Sequence, residues 1–367
     1  MKPSATKATE VVWSSGARFG HYEILAPLGK GGMAEVVRGR TLDGPLAGTE
    51  VAIKRLLPQL AKAPEYVELF AKEAELCIAL RHPNIVQTID AGTIGNVAYM
   101  AMEWVDGRDL GQVLRRCRKQ GIWLPIDFAV YITRVLLEAL EYAHKAESAS
   151  GTPLHLVHCD VSPSNVFISR VGEVKLGDFG VARVRVKQGV RDAVVAGKPY
   201  YLSPEATAGE VTHGVDLWAT AVVLFELLAL ERPFQGADPT QVFNAIRSGK
   251  RVKVREKRPE VSAGLESVLE QALAQDARKR FKTAGEFAAA LEPHYDERIG
   301  TPLAIAAVVS GQPCLPNSPR TTGCGGQRAG RPSHPAMNGS ISPRSTSFSL
   351  GVAVPVRGSS TRAPRPK

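Results

Sequence analysis

The chain has 367 residues, 44% of them apolar, enough for one large or two modest domains around a sizeable core. Its net charge of +10 is uneven: residues 298–367 hold nine cations and no acid, which leaves +1 for residues 1–297. No run approaches the ~18 apolar residues of a membrane span, the N-terminus lacks the apolar stretch of a secretory signal, and five widely spaced cysteines form neither a metal pattern nor a disulfide framework, so a soluble cytoplasmic protein with reduced thiols is expected.

Residues 1–18 read as a disordered N-terminus. Three strand-like runs follow, HYEILAPL, VVRGRTL and TEVAIKRLL, with β-branched residues near glycine-containing turns. The apolar spacing of YVELFAKEAELCIAL predicts a helix from Tyr66 to Leu80. Short strands are predicted from Ile85 to Asp90 and from Val97 to Glu103. After VDGRDL the period turns helical, and helices are predicted over 107–118, 125–146, 214–229, 238–248, 263–274 and 283–292. The run ATAVVLFELLAL contains Glu226 and reads as a buried helix. A β-rich part before a mostly helical part predicts an α+β fold of two lobes with a cleft. Residues 295–367 are predicted to be a disordered tail rich in Pro, Gly, Ser and Arg. Beyond Arg298 its one aromatic residue is Phe348, too little to fold alone.

The chemistry starts with LGKGGMAEV, Leu28 to Val36. Gly29, Gly31 and Gly32 would let backbone approach phosphates, although such a stretch is as often an ordinary turn. Ala34 stands where G-x-G-x-x-G has its third glycine. Lys54 ends the apolar strand VAIK; alone, it reads as a solvated strand end. Glu73 shares a helical stripe with Leu69, Leu76, Cys77 and Leu80. A carboxylate on an apolar stripe is costly unless paired, and Lys54 is the obvious partner. The plainer reading is a glutamate at the stripe edge reaching water.

YMAMEWVDG, HCDVSPSN, GDFG and SPE follow in that order. With this series the chain resembles the bacterial eukaryotic-like (Hanks-type) serine/threonine protein kinases, and most the myxobacterial-type branch, whose catalytic loop reads D-V-S-P-x-N. The resemblance covers residues 20–294. It implies a bilobal kinase domain over 19–294, with lobes at 19–104 and 105–294, that uses ATP and Mg²⁺ on protein substrates. It implies that Leu28, Gly29, Lys30, Gly31, Gly32, Met33, Ala34, Glu35 and Val36 cover the ATP phosphates. Ala52 and the gatekeeper-like Met102 would line the nucleotide site, backbone of Glu103 and Val105 would grip adenine, and Asp106 or Asp109 would reach the ribose. Lys54, held by Glu73, would contact the α/β-phosphates; Asp160 would accept or orient the acceptor proton; Asn165 and Asp178 would hold Mg²⁺. Glu205 would pair with Arg280, and Asp216 would brace the catalytic loop; both are structural.

Two cations of the family's H-R-D-x-K-P-x-N loop are missing: Cys159 replaces the arginine and Ser162 the lysine. One well-placed charge in phosphoryl transfer is worth about 3–4 kcal/mol, or roughly 10²–10³ in rate. In AGKPYYLSPE, Lys198 takes the place of the family's threonine beside the catalytic aspartate. The spacing suggests a charge swap, with the Lys198 ammonium entering from the other side of the cleft; the bland reading is a surface lysine. The family's missing arginine binds a phosphorylated activation loop. Here the segment Val181 to Leu202 has no serine or threonine, so activation without loop phosphorylation is expected. Cys159 reads as a small buried filler ahead of a redox-sensitive thiol.

The loop's Arg183, Arg185, Lys187, Arg191 and Lys198 against Asp192 suit acidic substrate segments, or equally a mobile solvated loop. The tail, with Ser318-Pro319 and Ser342-Pro343, is first a plain disordered tail, then an autophosphorylation target or docking arm. Its dispersed cations lack aromatic interleaving, which gives nucleic-acid binding little support. Dimerisation has no feature arguing for it. An active protein kinase competes with a nucleotide-binding pseudokinase scaffold. Retention of Lys54, Asp160, Asn165 and Asp178 favours the enzyme.

Overall fold

The computed structural model describes residues 14–148, 150–179, 198–296 and 301–310. Its first part is an antiparallel sheet of β1 (Arg18–Phe19), β2 (Tyr22–Lys30), β3 (Ala34–Thr41), β4 (Glu50–Leu56), β5 (Thr88–Ile94) and β6 (Val97–Glu103). The strand order is β1-β2-β3-β4-β6-β5. Strand alternation gathers Tyr22, Ile24, Val37, Val51, Ile53 and Tyr99 with Phe19 into a small core on one face. The other face, with Leu56, Ala98 and Met100, joins the main core beside α1 (Pro64–Ala79). Pro64 opens this helix, where its missing N–H leaves no bond unmade.

Beyond β6, β7 (Gly107–Asp109) pairs with β8 (Val166–Ser169), and β8 with β9 (Val174–Leu176). Gly107 has to be glycine: a Cβ there would stand 1.8 Å from the Ile168 carbonyl oxygen. This pairing moves the start of the helix expected from about residue 107. The helix α2 runs Leu110–Gln120 instead, capped by the Asp109 carboxylate, which accepts from the Gln112 N–H at 2.8 Å.

Further helices among the described residues are α3 (Ile126–His144), α4 (His213–Ala229), α5 (Pro239–Ser248), α6 (Val254–Lys257), α7 (Ala263–Ala272) and α8 (Ala284–Leu291). Every residue of α4 from Val215 to Ala229 is buried, so its all-round apolar sequence makes it the central post of the helical part. Asp238, Ser262 and Thr283 cap α5, α7 and α8 by accepting from main-chain N–H groups.

The tail expectation needs one correction. Residues 302–310 form a helix, α9 (Pro302–Ser310), with Ile305 and Val308 buried in the main core. The segment PLAIAAVVS is apolar, but the Pro, Gly and Arg content of the longer stretch masked it. Gly172 (φ +87°) admits this docking, since a Cβ there would lie 1.8 Å from the Pro302 carbonyl oxygen. The rest of the expected tail beyond residue 310 lies outside the described residues, as do residues 180–197 of the activation segment and most of the N-terminus. Among the described residues, no helix is long and apolar enough to cross a membrane.

Candidate active site

The glycine-containing stretch is the β2–β3 turn, with Gly31 N–H donating to the Ala34 carbonyl at 2.8 Å. Leu28 at its rim is 43% exposed, and no atom lies within 4 Å of a Cβ built on Gly29 or Gly32, so the turn roofs open space. Lys30 pairs across the turn with Glu35, and Gly29 with Val36. The Glu35 carboxylate accepts from Arg55, so its side chain braces the turn. Met33 ties the turn to the strand behind it, its carbonyl accepting from the Leu57 N–H.

Sheet register then aligns the cleft residues. Val36 faces Lys54 across β3–β4, and Ala52 faces Met102 across β4–β6. The Lys54 ammonium lies 2.9 Å from Glu73 Oε1 and 2.6 Å from Asp178 Oδ1. The pairing read from the apolar stripe is therefore formed, with Glu73 buried. Burial alone would favour the neutral amine, but Asp178 and Glu73 raise the Lys54 pKa above its ordinary value. Conversely, the Lys54 charge holds the Asp178 carboxyl at about 2 against its desolvation. Asp178 has φ +63°, a strained conformation that the surrounding contacts must impose.

Where β6 ends, the Glu103 N–H donates to the Gln87 carbonyl and the Glu103 carboxylate accepts from Lys175 at 2.9 Å. Val105 leads into β7. The Asp106 carboxylate pairs with Arg170 at 2.9 Å on the surface, while Asp109 is taken up by the α2 cap. Behind Met102 a cavity of about 10 Å³ is lined by Glu73, Cys77, Thr88, Met100 and Phe179. Burial, together with Glu73, pushes the Cys77 thiol up to about 12, so it is an inert wall residue.

The loop HCDVSPSN is held from below. Asp216, fully buried at the start of α4, accepts from the His158 and Cys159 N–H groups, both at 2.8 Å. His144 adds a third contact to the same carboxylate at 2.8 Å. Burial pushes the His158 pKa down, and its neutral ring accepts at Nδ1 from the Asp160 N–H and contacts the Gly177 carbonyl through Nε2. Asn165 Nδ2 donates to the Asp160 carbonyl and to Asp160 Oδ2, both at 2.9 Å. Ser162 is 1% exposed, and its hydroxyl contacts the Asp160 carbonyl and the Ser164 hydroxyl.

Lys198 closes the constellation from the opposite wall. Its ammonium lies 2.9 Å from Asp160 Oδ2 and 3.2 Å from Asn165 Oδ1. Next to it, Pro199–Tyr201 form a tight turn. The Tyr201 hydroxyl donates to buried Glu226 at 2.5 Å, and the Arg232 guanidinium stacks 4.0 Å over the Tyr200 ring. Glu205 and Arg280 form the expected two-point ion pair, at 2.7 and 2.9 Å.

The sequence reading did not name the cations around Glu226. That carboxylate is shared by Arg118, Arg232 and the Tyr201 hydroxyl. The signal was available, because the rule that paired Glu73 also demands a partner for an acid inside an apolar helix. Arg118 and Tyr201 lie far from Glu226 in sequence, so spacing could not find them; Arg232, six residues on, was within reach.

The comparisons fit this geometry. A family model for the protein kinase domain matches residues 22–292. The chain is 37% identical over 286 residues to the tyrosine-protein kinase MasK of Myxococcus xanthus, covering 77% of this chain and 44% of that one. It is 34% identical over 279 residues to the serine/threonine-protein kinase PknB of Mycobacterium tuberculosis, covering 74% of this chain and 42% of that one. The chain thus spans less than half the length of these curated relatives. The crystal structure of a single-residue mutant of the PknI kinase domain of Mycobacterium tuberculosis aligns with TM-score 0.58 and 30% identity, covering 76% of this chain and 98% of that one. The six-stranded sheet and helical part are the two lobes of that fold, and the chain belongs to the protein kinase family.

Proposed function

We propose that the chain is an active protein kinase that transfers the γ-phosphoryl group of ATP to serine or threonine hydroxyls of protein substrates. The observation that carries this reading is the Lys54–Glu73 ion pair, which productive phosphoryl transfer requires, with the Asp178 carboxylate beside it. A scaffold that only binds nucleotide has no need of Asp160 and Asn165 locked together beside it.

The residues fit MgATP. Asp178 stays ionised at any working pH and Asn165 presents an amide oxygen, a hard donor pair suited to Mg²⁺ that also binds phosphates. The open β2–β3 turn leaves room for phosphates, and Ala52, Val36 and Met102 offer apolar walls for adenine. Bound MgATP supplies the phosphoryl group and an ADP leaving group. In this reading Leu28 to Val36 cover the phosphates, Lys54 neutralises the α/β-phosphates, and Glu103 and Val105 offer backbone to adenine. Asp160 orients the acceptor hydroxyl and takes its proton as the new O–P bond forms. Lys198 supplies the positive charge that Ser162 cannot; its 2.9 Å approach to Asp160 supports this assignment.

Acidic substrate segments and a cytoplasmic location belong to the same reading, the first resting on Arg183, Arg185, Lys187 and Arg191 of the activation segment. Activation without loop phosphorylation is also part of it: phosphatase-treated protein is expected to keep its initial rate, and a large loss would remove this element. A second reading, transfer to tyrosine, is favoured by one observation, the 37% identity to a relative named as a tyrosine kinase. Phosphoamino-acid analysis of labelled product separates the two. Asp160→Asn is expected to abolish label on every acceptor; label that persists would break the proposed mechanism.

A further inference from the structure

Two strongly basic stretches, far apart in sequence, meet at a pocket away from the nucleotide cleft. RRCRK contributes Arg115, Arg116, Arg118 and Lys119; KRVKVREKR contributes Lys250, Arg251, Lys253, Arg255, Lys257 and Arg258 against the single acid Glu256. Between them lies an open pocket of about 370 Å³, lined by Arg118, Gly121, Trp123, Leu230, Glu231 and Lys257. That volume falls at the small end of ligand sites, which run from about 300 to 1,000 Å³.

The pocket is built rather than incidental. Leu230 has φ +56°, an outlying conformation for a branched side chain. Its N–H closes α4 onto the Glu226 carbonyl, and its own carbonyl accepts from Arg118 Nε. Arg118 also reaches the buried Glu226 carboxylate, while Lys257 is steadied by Glu231 at 2.9 Å. Trp123 is 45% exposed yet fixed from behind by Arg258, whose guanidinium sits 5.3 Å over its ring and donates to the Leu124 and Leu228 carbonyls. Ile122 beside it is 48% exposed. The result is an apolar floor with Arg118, Lys257 and the Glu231 carboxylate on its rim. Through Glu226, Arg118 shares a carboxylate with Tyr201, so the pocket is one residue removed from the turn beside Lys198.

We infer that this pocket docks an acidic segment of a protein partner. One apolar side chain seats against Trp123 and Leu230, and flanking carboxylates meet Arg118 and Lys257. The lining keeps a net positive charge, Arg118 and Lys257 against Glu231, and that charge selects this occupant. The chain's own tail is excluded by its charge, since residues 298–367 carry nine cations and no acid. Nucleic acid suits the charge but not a single-side-chain pocket with one exposed indole. Docking needs no phosphoryl transfer, so it stands or falls separately from the proposed activity.

The test uses a fluorescein-labelled peptide of glutamates around one central phenylalanine, with the lysine mirror, a glutamate-only peptide and a short DNA duplex as competitors. The expected result is saturable binding of the labelled peptide, with poor competition from all three competitors. Trp123→Ala and Lys257→Glu are each expected to weaken binding about tenfold while circular dichroism shows that both variants remain folded. Equal competition by the glutamate-only peptide or by DNA, or variants that bind like the parent, would overturn the proposal.

Discussion

Replacing Lys198 by methionine removes one ammonium while keeping most of the side-chain volume. The charge sits 2.9 Å from Asp160 Oδ2, and the two side chains are only 20% and 9% exposed. At that distance a full unit charge interacts by about 6 kcal/mol at an effective dielectric constant near 20. That figure belongs to the ground-state Asp160 pair; a preorganised charge facing the transferring group is worth about 3 kcal/mol in the transition state, or about 10² in rate. Single-turnover transfer at saturating nucleotide reads this directly, with nucleotide affinity measured in parallel. We expect the rate constant to fall about a hundredfold in Lys198→Met with little change in nucleotide binding, and less in Lys198→Arg. Ser162→Lys alone crowds a second ammonium against one carboxylate and is expected to be slow. Combined with Lys198→Thr it is expected to recover. A Lys198→Met rate within about threefold of the parent would refute the charge-swap reasoning.

Four further outcomes follow from the geometry. Asp216→Ala leaves the His158 and Cys159 N–H groups buried without their acceptor, at about 1–3 kcal/mol each, so urea unfolding is expected to shift by several kcal/mol. Arg280→Met strands Glu205 beside a pocket that is 2% exposed on the arginine side, and a loss of about 3–5 kcal/mol is expected in the same assay. The depressed Asp178 pKa stabilises the fold fully above its ordinary value of 3.8, and that contribution is lost as pH falls through about 2; carbonyl-carbon NMR should show the Asp178 midpoint moving up in Lys54→Met. Truncation before α9 exposes the faces that cover Ile305 and Val308, and a stability loss of about 3 kcal/mol is expected by thermal melting, with Gly172→Ala acting in the same direction.

The Lys54–Glu73 pair was legible because its logic is local. Glu73 announced itself as a charge on an apolar stripe, and Lys54 was its nearest answer; the 2.9 Å pair follows from that rule. Asp216 and the Glu205–Arg280 pair came through the family resemblance, and the geometry agrees residue by residue. Helix ends were less legible. The α2 start was misread because Gly107–Asp109 is claimed by a strand partner sixty residues away in sequence, which no local period reveals. The α9 helix was hidden in a composition average, and its stability comes from the core it covers rather than from its own sequence. The Arg118–Glu226–Tyr201 cluster joins three distant segments, so only the fold could assemble it.

The central claim is that this constellation transfers phosphate. The decisive measurement incubates the purified chain with radiolabelled ATP, Mg²⁺ and both an acidic and a basic generic protein substrate, beside Asp178→Ala, while nucleotide binding is followed separately. The account predicts protein-bound label with the parent and none with the variant. Nucleotide binding by the parent without transferred label would contradict it, and the chain would then be a nucleotide-binding scaffold.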